Sequence, residues 1–150
     1  MRSHYRRKYP YVMVDEAQDT SWLQHRILQI LTQDGGNLFI VGDEDQSIYG
    51  FRAAYPEALL DFQRHYPGGK VYRLETNYRS GKDIVALADR FIRHNRKRYD
   101  KNMKPAAESS GRVRVEPVAR RSDQYRQIAD WIREDPERET AVLYRNNDSA

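Results

Sequence analysis

VMVDEAQD, residues 12–19, is the stretch that decides the fold class of this chain. A short apolar run with β propensity ends abruptly in two adjacent carboxylates, Asp15 and Glu16. Side chains alternate between the two faces of a strand, and an unpaired buried carboxylate is costly. We therefore expect a strand that ends at Val14, with both carboxylates in a crevice beyond its carboxyl end.

Other short apolar segments alternate with helical patterns along the chain. We predict strands at residues 11–14, 38–41, 71–74, 113–118 and 141–144. The first two are continuously apolar, which is typical of parallel strands covered on both faces. Helical spacing predicts helices after a capping box of Ser21 and Gln24, after Pro56, and over residues 84–92 and 123–134. This alternation predicts an α/β fold, a parallel sheet with flanking helices.

Composition favours a globular protein that acts in the cytoplasm. The 150 residues include 39% hydrophobic and 32% charged residues and no cysteine. We expect neither a secretory signal nor a membrane span, because no apolar run approaches about 20 residues. The formal net charge is +4, and the excess falls after residue 80, densest between Arg93 and Lys104. This basic cluster favours a polyanion such as nucleic acid, although a solvated helix face explains it equally well.

The carboxylates of the opening stretch have a candidate task in nucleotide chemistry. Ligands of open parallel sheets bind beyond the carboxyl ends of strands. An apolar strand that ends in Asp-Glu is the Walker B pattern, in which Asp15 would hold Mg²⁺ and Glu16 would polarise a water for attack on a γ-phosphate. The pattern also arises by chance, so it needs support from elsewhere in the chain.

Two later stretches offer that support. In FIVGDEDQSIYGFR, residues 39–52, Gly42 permits a sharp turn and Gln46 could bind a phosphate or the attacking water. Aromatic side chains next to an Arg in residues 49–52 indicate a stacking platform for single-stranded bases, unless they are core aromatics. In LETNYRS, residues 74–80, Arg79 could bind a phosphate and Tyr78 could stack on a purine, and a structural ion pair is the alternative for Arg79.

The order of four stretches carries a family resemblance. VDEAQDTS (14–21), VGDEDQSIYGFRAA (41–54), LETNYRS (74–80) and AVLYRNN (141–147) resemble motifs II, III, IV and IVa of superfamily 1 DNA helicases of the UvrD/Rep/PcrA group. The resemblance implies part of a RecA-like (P-loop NTPase) domain over residues 1–78, then a hinge and the start of a second RecA-like domain over residues 79–150. It also implies an ATP-dependent 3′→5′ translocase on single-stranded DNA, acting in repair, recombination or replication.

The resemblance assigns roles only to matching residues. Asp15 would coordinate Mg²⁺ bound with ATP, and Glu16 would activate water. Gln46 would sense the γ-phosphate, Arg79 would act on it as an arginine finger, and Tyr78 would lie against the adenine. The residues expected to contact single-stranded DNA are Tyr49, Phe51, Arg52, Arg145 and Asn147. Phe51 stands where Trp is frequent in the group, which leaves a smaller stacking face.

A Walker A loop, GxxxxGK[ST], is missing from these 150 residues. Gly69-Lys70 and Gly81-Lys82 lack both the upstream Gly and the following Ser or Thr. We therefore expect the chain to be the middle part of a helicase. On its own, this part should neither hydrolyse ATP nor unwind DNA. The resemblance names no protein partner.

Three other functions remain open from the sequence. The parent could be a RecB/AddA-like helicase–nuclease, or the chain could be a nucleic-acid-binding module that has lost its motor. A metal-dependent nuclease could be built on Asp15, Glu16, Asp43 and Asp45, although their spacing fits no EF-hand loop.

Overall fold

The computed structural model describes residues 2–32, 36–106, 108 and 111–144. The chain divides into two compact units, Met1–Arg112 and Val113–Ala150. The functional boundary between residues 78 and 79 stays a prediction. In chain order the helices and strands are α1 (Arg2–Lys8), β1 (Tyr11–Val14), α2 (Trp22–Thr32), β2 (Asn37–Ile40), α3 (Glu57–Leu60), α4 (Phe62–His65), β3 (Thr76–Asn77), α5 (Lys82–Ile92), β4 (Lys104–Pro105) and α6 (Arg121–Glu134).

Strands β1 and β2 pair in parallel, as the sequence predicted. Their register runs from Tyr11 opposite Asn37 to Val14 opposite Ile40. Two backbone hydrogen bonds continue the contact beyond the strands: the Val41 amide donates to Val14 (2.8 Å), and the Ala17 amide donates to Val41 (3.1 Å). The carboxyl ends of the two strands therefore lie side by side, with the loops that follow them in contact.

The expectation that both faces of these strands are covered is wrong. Alternate residues are exposed, and Met13 and Phe39 keep 80% and 59% of their surface accessible. The opposite face is partly covered, since Ile40 lines a cavity with His25 of α2 and Ala58 of α3. A continuous apolar run shows which residues can be buried. Which of them are in fact buried depends on the helices and strands that pack against the run.

Helix α2 begins and ends with specific hydrogen bonds. The predicted capping box is confirmed: Ser21 donates its amide to the Gln24 side chain (2.8 Å), and the Gln24 amide donates to Ser21 Oγ (3.4 Å). At the other end, Arg6 of α1 donates to the carbonyls of Ile30 and Leu31. Carbonyls at the end of a helix generally need partners from outside it, and Arg6 adds such hydrogen bonds at the end of α2. The short, polar α1 has no apolar periodicity and was not predicted.

Three predicted strands are absent from the described residues. Residues 71–74, 113–118 and 141–144 belong to no helix or strand, and Leu74 and Leu143 are 88% and 94% exposed. Strand formation depends on a partner as much as on β propensity. In the first unit, β3 pairs in parallel with β4 instead. The predicted helices at α5 and α6 are confirmed, and the described part of the second unit has α6 as its only helix.

None of the described helices combines the length and the apolar character that crossing a membrane requires.

Candidate active site

The two carboxylates lie directly after β1, as expected, and both are exposed. Glu16 has φ 48° and ψ 43°, the left-handed conformation that non-glycine residues rarely adopt. Its amide donates to Asp15 Oδ1 at 2.9 Å, and a turn of 3-10 helix follows at Ala17–Asp19. The chain thus turns sharply at Glu16, which takes its carboxylate out of the strand direction.

Gln18 joins this turn to the loop after β2. Its side chain is buried, at 2% exposure. Its Nε2 donates to Glu16 Oε2 at 2.6 Å, and its Oε1 accepts from the Asp43 amide at 3.1 Å. Its carbonyl accepts from Ser47 Oγ at 3.2 Å. Gln18 therefore fixes one oxygen of Glu16 and ties VDEAQD to GDEDQS, a role that the sequence analysis missed.

Gly42 provides the space for this connection. A Cβ at Gly42 would lie 2.9 Å from Gln18 Oε1, 3.0 Å from Leu59 Cδ1 and 3.2 Å from the Ala17 nitrogen. The chain has no turn or bend at Gly42, and among the described glycines only Gly68 has a positive φ, so the expected use of Gly42 for a sharp turn is wrong. Gly42 is needed because the backbone and Gln18 approach closely.

Gln46 lies in the 3-10 turn Glu44–Gln46 and is held by Asp43. The Gln46 amide donates to the Asp43 carbonyl (2.9 Å), and Gln46 Nε2 donates to Asp43 Oδ2 (2.8 Å). Asp43 Oδ1 also accepts from the Asp45 amide at 3.2 Å. Because Asp43 contacts Gln18 through its backbone and Gln46 through its side chain, one hydrogen-bonded path joins Glu16 to Gln46.

Two cations neutralise the acidic residues of this loop. Arg98 contacts Asp45 with both Nε (2.9 Å) and Nη2 (2.8 Å). Lys101 Nζ contacts one carboxylate oxygen of each loop acid: Asp43 (2.6 Å), Glu44 (3.0 Å) and Asp45 (2.9 Å). The Arg98 and Lys101 side chains are only 8% and 12% exposed. We call these five residues the ionic lock.

The ionic lock changes two interpretations of the sequence. The three loop carboxylates approach one another within 4.8 Å, as in a cation site, but the Lys101 ammonium group already lies among them. This occupancy weakens the nuclease hypothesis. The basic cluster of residues 93–104 is also divided, because Arg98 and Lys101 face inward while Lys97 remains 82% exposed.

Burial and pairing act in opposite directions on the lock. Burial alone would raise the pKa of Asp45, but the hydrogen bonds and positive charges of Arg98 and Lys101 lower that pKa below its ordinary value. Burial alone would lower the pKa of Lys101, but its hydrogen bonds to Asp43, Asp45 and Glu44 raise it. Both groups are therefore charged at neutral pH, and each depends on the other for its compensation.

The aromatic residues after the lock loop are exposed. The Tyr49 and Phe51 rings lie 5.7 Å apart, and the Arg52 guanidinium lies 5.2 Å and 5.5 Å from their centroids. Phe51 is 79% exposed and Tyr49 is 36% exposed. Hence the alternative that they are core aromatics is wrong. The arrangement offers π faces and a cation to the solvent, which suits the stacking of bases.

Tyr78 and Arg79 extend from a turn after β3. Asn77 Oδ1 accepts from the amides of Arg79 (2.9 Å) and Ser80 (2.8 Å), and Tyr78 is 82% exposed. Arg79 forms no ion pair within the described residues. The alternative that Arg79 belongs to a structural ion pair therefore has no support there. Nor does any hydrogen bond or ion pair there join Arg79 to Asp15 or Glu16. The predicted DNA contacts Arg145 and Asn147 lie outside the described residues.

Comparison with known proteins agrees with this arrangement of motifs. The profile of the UvrD/REP helicase N-terminal domain matches residues 1–67, and that of the UvrD-like helicase C-terminal domain matches residues 72–150. Similar proteins include the ATP-dependent DNA helicase PcrA of Staphylococcus epidermidis, 35% identical over 96% of this chain and 20% of the relative. DNA helicase II of Escherichia coli is 34% identical over 96% of this chain and 21% of the relative.

A shorter match carries a higher identity. The putative ATP-dependent DNA helicase YjcD of Bacillus subtilis is 44% identical over 68% of this chain and 13% of its own length. The chain thus spans about a fifth, or less, of the length of the curated relatives it matches. Because the two domain profiles together cover nearly all of it, the chain belongs to the UvrD-like helicase family.

Proposed function

We propose that this chain is the central part of an ATP-dependent DNA helicase that moves 3′→5′ along single-stranded DNA. The carrying observation is the path from Glu16 through Gln18 and Asp43 to Gln46, on the loop that leads into the aromatic platform. A carboxylate pair at a strand end suits nucleotide chemistry, and an exposed aromatic pair beside Arg52 suits single-stranded bases. One short segment therefore links the two functions that a DNA-coupled motor requires.

The carboxylates divide the work at the nucleotide. Asp15 and Glu16 are exposed oxygen donors at the end of a parallel strand, a donor type that suits Mg²⁺ bound with ATP. When bound, Mg²⁺ would neutralise the developing charge on the phosphates. Asp15 would hold the ion. Glu16, held at Oε2 by Gln18, would accept the proton of the attacking water at its other oxygen.

The remaining nucleotide contacts come from Gln46 and from the turn after β3. In our proposal Gln46 senses the γ-phosphate, Arg79 is an arginine finger, and Tyr78 packs on the adenine. The exposure of Tyr78 and the absence of an ion pair at Arg79 within the described residues support this assignment. We place Tyr78 and Arg79 at the hinge between two RecA-like domains, the first ending at residue 78 and the second beginning at residue 79.

Single-stranded DNA would lie over the aromatic platform. Base stacking on Tyr49 and Phe51 is independent of sequence, because every base has a π face, and Arg52 adds charge. Arg145 and Asn147 would contact the DNA backbone in the second domain. We also propose that the parent protein acts in DNA repair, recombination or replication, and that it is located in the cytoplasm.

The 150 residues alone should not hydrolyse ATP, because they contain no GxxxxGK[ST] loop to cradle the phosphates. The chain leaves open whether the parent also carries a nuclease, as in RecB/AddA-like enzymes. A binding module without a motor is the weaker alternative. Such a module has no use for Gln18, whose buried amide holds the Glu16 carboxylate in place.

The proposal is tested on the full-length protein that carries this chain. Phosphate release from ATP is measured with and without single-stranded DNA, and unwinding is measured on duplexes with a 3′ or a 5′ tail. We expect hydrolysis that DNA stimulates and unwinding that requires the 3′ tail. DNA binding without hydrolysis would support the binding module, and unwinding from the 5′ tail would refute the direction.

A further inference from the structure

We propose that Arg98 and Lys101 are positioning residues that hold Gln46 in the geometry for nucleotide sensing and connect it mechanically to the segment bearing Arg79. This inference rests on the proposed function, and it assigns a task to two residues outside the recognised motifs. Three features of the ionic lock carry it: its burial, its shared carboxylate, and its second attachment beside β3.

The first feature is the burial of both signs of charge. Side-chain exposure is 4% for Glu44, 11% for Asp45, 8% for Arg98 and 12% for Lys101, whereas Asp43 at the edge of the lock is 39% exposed. Removing one partner from a buried ion pair leaves an uncompensated charge, which is strongly destabilising. Separating the loop from residues 98–101 would therefore cost free energy, because it would leave buried charges without partners.

The second feature is that Asp43 serves the lock and the sensor together. Its Oδ1 accepts from Lys101 at 2.6 Å and its Oδ2 accepts from Gln46 Nε2 at 2.8 Å. Lys101 thus fixes the carboxylate that fixes the Gln46 amide. Without Lys101, Asp43 Oδ1 would keep only the longer hydrogen bond from the Asp45 amide (3.2 Å), and the carboxylate that orients the Gln46 side chain would be held less firmly.

The third feature is the attachment of the segment after α5 to the strand before Arg79. The Asn102 amide donates to the Glu75 carboxylate (2.8 Å), and the Lys104 amide donates to the Glu75 carbonyl (2.7 Å). Strands β3 and β4 pair immediately beyond, and Arg79 follows β3 by two residues. Residues 98–104 therefore bridge the Gln46 loop and the turn that presents Tyr78 and Arg79.

A second contact of the same segment makes the bridge stiff. Tyr99 donates its amide to the Glu44 carboxylate (2.9 Å) and its hydroxyl to the Leu59 carbonyl (2.6 Å). Arg73 lies 5.0 Å over the Tyr99 ring and donates to the Asp100 carbonyl. Under the predicted boundary at residues 78 and 79, this bridge joins the first domain to the second. A movement of Gln46 at the γ-phosphate would then be transmitted through residues 98–104 to the turn that bears Tyr78 and Arg79.

The test compares Lys101→Met with Lys101→Arg in the full-length protein. The matched control is Lys70→Met, because Lys70 is exposed and has no ion pair in the described part of the chain. Steady-state ATP hydrolysis on single-stranded DNA gives kcat and KM, and circular dichroism checks folding. We expect Lys101→Met to lower kcat about 10- to 100-fold through misplacement of Gln46, with the KM for ATP nearly unchanged. Lys101→Arg should restore most of the rate, and Lys70→Met should behave as wild type.

The outcomes separate the lock from the proposed function. Normal kcat in a folded Lys101→Met protein would refute the lock alone. Absence of DNA-stimulated hydrolysis in the unsubstituted protein would refute the proposed function, and the lock with it. If Lys101→Met does not fold, Lys101→Gln is measured instead: a low kcat supports the proposal, whereas normal kcat, or loss of folding here too, shows that the lock is only structural.

Discussion

Gln18 gives the sharpest prediction about stability. Replacement by Leu removes both side-chain hydrogen bonds of a residue that is 2% exposed, and keeps its main-chain contact with Ser47. The bond to the exposed Glu16 carboxylate contributes about 1 kcal/mol, because that carboxylate rehydrates when freed. The Asp43 amide loses its partner at a cost of about 1–3 kcal/mol. We therefore expect Gln18→Leu to lower the free energy of unfolding by about 2–4 kcal/mol.

Urea unfolding of the 150-residue chain, followed by far-ultraviolet circular dichroism, measures this loss. At a slope of roughly 2 kcal/mol per M, the midpoint should fall by about 1–2 M. The matched control is Gln63→Leu, since Gln63 is exposed and its side chain makes one hydrogen bond within the described residues, to the Gly69 carbonyl at 3.1 Å. A Gln18→Leu midpoint no lower than that of Gln63→Leu would refute the role of Gln18 as the connection between the two loops.

Three further predictions concern the close packing at Gly42, the aromatic platform and the charges of the ionic lock. Gly42→Ala should lower the free energy of unfolding by about 1–3 kcal/mol through overpacking, whereas Gly50→Ala should not, because a Cβ at Gly50 meets nothing within 4 Å. Equal melting temperatures of the two variants would contradict this prediction. Phe51→Ala should cost about 1–3 kcal/mol of single-stranded DNA binding, measured by fluorescence anisotropy, whereas Phe91→Ala, with a ring 73% exposed on α5, should bind normally. The lowered pKa of Asp45 stabilises the fold above the ordinary value of 3.8, and the raised pKa of Lys101 does so below 10.5. The stability gap between wild type and Lys101→Met should therefore be constant between those values, and shrink as pH falls through the folded pKa of Asp45 or rises through that of Lys101. A gap that persists unchanged in strong acid would show that the lock is not electrostatic.

Local signals in the sequence predicted much of the first unit. Strand β1 begins and ends at the predicted residues, because the apolar run is bounded by Pro10 and by the carboxylates. The capping box at Ser21 depends on residues only three apart, so it too can be recognised without the fold. The strand predicted at residues 71–74 failed for the opposite reason. Its β propensity is genuine, but a ladder needs a partner, and propensity carries no information about partners.

The candidate site shows the same division. The sequence indicated Glu16 and Gln46 by pattern, and the structure connects them. The connecting residues were missed because Gln18 meets Asp43 across 25 positions and Lys101 meets Asp43 across 58. No spacing rule covers such contacts. Exposure was equally undetermined, since Phe51 fits either a core or a platform until its neighbours are known.

In our proposal, Glu16 is the water-activating base of a DNA-coupled ATPase. The most direct test is the kcat of DNA-stimulated phosphate release by the full-length protein carrying Glu16→Gln, with ATP and single-stranded DNA binding measured beside it. A general base contributes about 10²- to 10⁴-fold, so kcat should fall by that factor while both ligands still bind. Turnover equal to that of the unsubstituted protein would contradict the claim.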